Sequence, residues 1–93
     1  MILLKRNFEL ALAAIPSGYG NGVYQGLRYG VTVRRSYDGK RTSLFARALP
    51  DGDVVSFNLY RLESGEASLR PCEMPAEKVV AFVLGYAPDP PRT

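Results

Sequence analysis

Residues 27–62 read LRYGVTVRRSYDGKRTSLFARALPDGDVVSFNLYRL, and this stretch decides the fold. Two Asp-Gly pairs, Asp38-Gly39 and Asp51-Gly52, lie inside it, each flanked by alternating apolar and polar residues. Asp-Gly between alternating runs is among the strongest local signals for a β-hairpin. Taken as two-residue turns, the pairs set two registers independently. Asp38-Gly39 places Tyr29 opposite Ala48, Val31 opposite Ala46 and Val33 opposite Leu44. Asp51-Gly52 places Ala48 opposite Val55, Ala46 opposite Phe57 and Leu44 opposite Leu59. Both turns put Leu44, Ala46 and Ala48 on the apolar face, and a one-residue slip in either would destroy that agreement.

The opposite face then carries the rows Arg28-Leu49-Val54, Gly30-Arg47-Ser56, Thr32-Phe45-Asn58, Arg34-Ser43-Tyr60 and Ser36-Arg41-Leu62. It holds four arginines, two aromatics, hydroxyls and an amide, and no carboxylate. The acids of the stretch, Asp38, Asp51 and Asp53, fall in or beside the turns. Charge follows the same division. Residues 27–62 contain seven basic and three acidic side chains, a balance of +4, whereas the remainder has five basic and six acidic, a balance of −1. The excess positive charge therefore belongs to the sheet, and a localised basic surface attracts polyanions.

Working outward, Leu4, Phe8, Ala11, Leu12 and Ile15 recur at helical spacing, with Asn7 placed to cap the helix and Glu9 in its first turn. Pro16-Ser17-Gly18 ends it. Residues 17–26, SGYGNGVYQG, read as a glycine-rich connector. A phosphate-binding loop needs a strand before it and a helix after, and here the order is reversed. Glu63-Ser64-Gly65-Glu66 signals a third turn, after which Ala67–Arg70 reads as a short fourth strand. Leu69 faces outward if the turn has two residues and inward if it carries a bulge. Pro71 marks an edge. Residues 72–87, CEMPAEKVVAFVLGYA, read as a second helix with Ala76, Val79, Val80 and Val83 inward, Phe82 and Tyr86 beside them, and Gly85 at its end. The expected fold is α+β: a three- to four-stranded antiparallel meander, α-β-β-β-(β)-α, with both helices packed on one face. Residues 1–87 make one domain, and 88–93 a disordered Pro-rich tail.

Composition narrows the chemistry. The 93 residues include no histidine and one cysteine. The commonest general base and metal ligand is thus missing, and a Cys-His hydrolase is excluded. Cys72 reads as a buried structural thiol. Asp51/Asp53 and Glu63/Glu66 read as turn residues rather than acid-base pairs, so no catalytic residue, metal or cofactor is expected. The single cysteine suits a reducing cytoplasm. No apolar run is long enough to span a bilayer. In MILLKRNFELALAAI the charges follow the first apolar cluster, so the segment reads as structure rather than a targeting signal.

The expectation is a small non-enzymatic module binding single-stranded DNA or RNA. Arg28, Arg34, Arg41 and Arg47 would meet phosphates, Phe45 and Tyr60 would stack on bases, and Asn58 would bond a base edge. The competing reading is a protein-interaction subunit, dimeric through this face or an edge strand. A solvated face, with arginine stems covering Phe45 and Tyr60, is the plain alternative to both.

Overall fold

Alternation carries the described residues through six strands rather than three or four. A computed structural model describes residues 6–90. Helix α1 spans Arg6–Ala13, followed by β1 (Gly18–Tyr24), β2 (Leu27–Arg35), β3 (Arg41–Ala48), β4 (Val54–Arg61), β5 (Ala67–Pro71), α2 (Ala76–Gly85) and β6 (Ala87–Pro88). All neighbours are antiparallel, in the order β5-β4-β3-β2-β1-β6. The class is α+β.

The first hairpin takes the expected register, Val31 facing Ala46 and Val33 facing Leu44. The second is displaced by two residues. Val55 faces Ala46 and Phe57 faces Leu44, where the Asp51-Gly52 turn called for Ala48 and Ala46. The cause is Pro50. A two-residue turn at Asp51-Gly52 asks residues 50 and 53 to exchange two hydrogen bonds, and proline has no N–H to donate its one. The loop instead covers residues 49–52, with Gly52 at φ +77° donating to the Ala48 carbonyl and Ala48 donating to Asp53. At Asp38-Gly39 only the glycine has positive φ, and Ser36 and Arg41 close a loop centred on the same pair. Widening a loop about a fixed centre keeps its register. Because side chains alternate with period two, the displacement of two in the second hairpin leaves every side chain on its expected face.

The glycine-rich segment is a strand, not a connector. β1 pairs along its length with β2, turning through Gln25 and Gly26, both at positive φ. Gly18, Gly20 and Gly22 point inward and Tyr19, Asn21 and Val23 outward, as follows from their register opposite Val33, Val31 and Tyr29. Glycine's low strand propensity hid this pattern. Packing explains it: a Cβ on Gly22 would collide with the Tyr86 hydroxyl and lie 2.5 Å from the Ala87 carbonyl oxygen.

At the ends of elements the structure resolves one open reading and departs from others. β5 reaches β4 through a three-residue loop with Gly65 at φ +90°, which sets Leu69 inward opposite Leu59. The segment expected to start a tail at residue 88 starts as β6: Pro88 faces Gly22, and the Asp89 N–H donates to Asn21. Residues 91–93 and Leu4 lie outside the described residues. Asn7 sits within the first turn of α1 rather than before it, and α2 begins at Ala76, after Pro75, not at Cys72. Cys72 is exposed rather than buried.

The buried residues form one cluster. It joins Phe8, Leu12 and Ile15 to the inward sheet positions, including Val31, Val33, Leu44 and Phe57, and to Val79, Phe82, Val83 and Tyr86. Phe8 packs 6.2 Å from Phe57 between ring centres. Phe82 lies between 5.0 and 5.1 Å from Tyr24, Tyr29 and Tyr86. Such aromatic contacts add to the free energy of area burial. Inward cations are spent on structure. Arg35 donates to the Leu12 carbonyl in the last turn of α1, to the Ile15 carbonyl just beyond it and to Ser17, where α1 has no basic residue of its own. Arg61 pairs with Glu9 and donates to Gly65. No helix among the described residues is long and apolar enough to cross a membrane.

Candidate functional site

Alternation along β1–β5 collects one set of side chains on the outward face. The observed registers give four full rows: Asn21-Gly30-Arg47-Val54, Tyr19-Thr32-Phe45-Ser56, Arg34-Ser43-Asn58-Arg70 and Arg41-Tyr60-Ser68. Arg28, with Leu49 beside it and Val23 on its other flank, leads them. Neighbours within a row stand about 4.5–5.5 Å apart at Cβ, and rows follow at twice the rise of about 3.3 Å per residue. The two-residue displacement of β4 therefore changes partners: Asn58 sits beside Ser43 and Arg34, and Tyr60 beside Arg41.

Of the seven residues expected from sequence, six remain available on this face: Arg34, Arg41, Arg47, Phe45, Tyr60 and Asn58. The seventh is committed elsewhere. Arg28 grips Asp89 with both terminal nitrogens, at 3.0 and 2.6 Å. This hydrogen-bonded pairing raises the arginine's pKa and holds the Asp89 carboxyl below its ordinary range. Asp89 thus brings a carboxylate to a face whose rows within residues 27–62 hold none. Asp89 was missed because β6, which delivers it, is only two residues long.

Two participants lie outside the set of binding residues expected from sequence. Arg70 enters opposite Asn58 from β5, and Tyr19 enters from β1, 69% exposed. Tyr19 extends across Gly30, whose absent side chain leaves its ring the space. The signal for Tyr19 was present in GYGNGVY as a period of two, with glycine standing where an inward apolar residue normally would.

The face is exposed and rich in cations. Arg34, Arg41, Arg47 and Arg70 are exposed and have no carboxylate partner among the described residues. Phe45 is 44% exposed and Tyr60 38%. The Arg47 guanidinium stands 5.7 Å from the Phe45 ring centre, within the range of a cation–π contact. Between the middle rows lies a depression of about 230 Å³ lined by Thr32, Arg34, Ser43, Phe45, Ser56 and Asn58. It is below the usual size of an enclosed small-molecule site and suits one flat group seated on an open surface. A larger hollow of about 660 Å³ at the β1 edge reaches Arg28, Asp89 and Asn21. Its polar groups already serve one another: Arg28 holds Asp89, and the Asn21 amide donates to Tyr19 and to the Tyr29 carbonyl.

Comparison of the chain with protein-family models, with curated proteins and with solved structures returns no match.

Proposed function

We propose that the protein is a non-catalytic module that binds single-stranded nucleic acid across its open sheet face. The observation that carries the reading is the coincidence of four uncommitted arginines with three exposed aromatics, Tyr19, Phe45 and Tyr60, on one face. Arginines on such a platform neutralise phosphates, and aromatic rings stack on bases of any sequence. Arg34, Arg41, Arg47 and Arg70 take the phosphate role. Arg28 does not, because Asp89 offsets it. Asn58, Ser43 and Thr32 supply hydrogen bonds to base edges or sugars. An exposed sheet surface favours single strands, whose bases are free to splay, over a duplex whose bases are stacked inside.

The test is a titration with short mixed-sequence single-stranded DNA and RNA at several salt concentrations. Neutralising four phosphates on a single strand gives a slope of log K against log salt of about −3, at roughly −0.7 per contact. Amide shifts should move in β2–β5 at outward positions. No binding at low salt, or a salt-independent affinity, overturns the reading. A concentration-dependent dimer that Phe45→Glu dissociates would assign the face to a second copy of the chain instead. Against that arrangement stands the like charge that a two-fold axis would bring together.

A further inference from the structure

We propose that the corner of this face around Tyr60 is a seat for a phosphate monoester, the terminal phosphate of the bound single strand. The inference rests on the nucleic-acid reading above and adds to it a preference for one kind of strand end. A hollow of about 770 Å³ occupies the corner, lined by Ser36, Lys40, Arg41, Tyr60, Ser68 and Arg70.

Position and charge point the same way. The row Arg41-Tyr60-Ser68 is the last outward row within the strands, before the loop at residues 37–40 and the Leu62–Glu66 pair that closes the loop at residues 63–65. A strand crossing the face row by row therefore reaches its end here. Lys40, Arg41 and Arg70 bring three positive charges. Asp38 also borders the hollow. Its carboxylate accepts from the Lys40 N–H at 3.0 Å and from the Ser36 hydroxyl at 2.7 Å, so it stays ionised. Arg61 reaches the hollow too, but Glu9 offsets it. The corner is left with three positive charges against one negative. That balance of two matches a phosphate monoester, which carries about −1.5 to −2 at neutral pH, better than an internal phosphodiester carrying one charge. Arginine's planar fork suits a terminal phosphate with three free oxygens, and the exposed Tyr60 ring offers the terminal base a stacking surface. The middle of the face has a single arginine, Arg34, bordering its depression and lacks this concentration of charge.

The experiment compares one oligonucleotide sequence in three forms, 5′-phosphorylated, 3′-phosphorylated and unphosphorylated, with the free nucleoside 5′-monophosphate as a fourth probe. One phosphorylated form should bind about tenfold tighter than the unphosphorylated one, a difference of about 1.4 kcal/mol. Arg41→Ala with Arg70→Ala should erase that ratio. Arg47→Ala, remote from the corner, should weaken all three forms alike and leave the ratio intact. Amide shifts at Arg41, Tyr60 and Ser68 should respond to the phosphorylated end. If all three forms bind with equal affinity, the terminal seat is wrong and the platform reading stands. If no oligonucleotide binds while the monophosphate shifts Tyr60, the seat stands without the strand. If nothing binds, both fall.

Discussion

The two faces of the sheet are built from the same five long strands yet solve opposite problems. The inward face is closed: Phe82 sits among three tyrosines, and Gly22 yields its side-chain space to Tyr86. Even its arginines, Arg35 and Arg61, are tied to carbonyls or to Glu9. The outward face is open, and among the described residues its arginines stand without carboxylate partners, Arg28 excepted. The difference teaches that core packing and surface charge are separated by strand alternation itself. Residues at one parity hold the fold, and residues at the other are free to meet a ligand.

Substitutions of different parity should therefore give different phenotypes. The largest effect is expected for Phe82→Ala. Emptying the centre of the aromatic cluster should cost about 3–5 kcal/mol in a denaturant titration, much of the stability on the order of 5–15 kcal/mol typical of such a domain. Gly22→Ala comes next. Its methyl group meets the Ala87 carbonyl, which is backbone and yields little, so overpacking should cost about 1–3 kcal/mol. Gly30→Ala is the outward counterpart. It meets only the far end of the Tyr19 side chain, and its cost should be visibly smaller. Equal losses at the two glycines would break the comparison.

Arg34→Ala with Arg47→Ala should leave stability within about 0.5 kcal/mol, while the salt slope of oligonucleotide binding falls by about 1.4, twice 0.7. A large loss of stability would show that these side chains hold the fold after all.

The smallest effect concerns Asp89. Its carboxyl is held low by Arg28, so the pairing contributes above the unfolded carboxyl pKa of about 3.9. The contribution is lost as pH falls through the lower folded value. The Asp89 and Asn21 amide shifts should stay constant from neutral pH down to about pH 4 and then drift. Asp89→Asn should give shifts that do not respond to pH over the same range. It should also release Arg28 for phosphate, steepening the salt slope by about 0.7.

Much of this was legible in the chain, for a definite reason. Two Asp-Gly pairs and strict alternation in residues 27–62 assign each side chain to a face, and the assignment is insensitive to register errors of two. The charge separation and the pairing of Phe45 with arginines followed from parity alone. What escaped is what parity does not encode. The register of β4 depended on the missing N–H of Pro50. The strand at residues 18–24 depended on Tyr86, 64 residues beyond Gly22, needing room that only glycine leaves. The withdrawal of Arg28 and the arrival of Arg70 depended on which edges β6 and β5 joined. Local sequence determines which way a side chain points because the backbone repeats every two residues. Only the tertiary structure decides what it points at, because strand neighbours and edges are set by contacts between residues far apart in the chain.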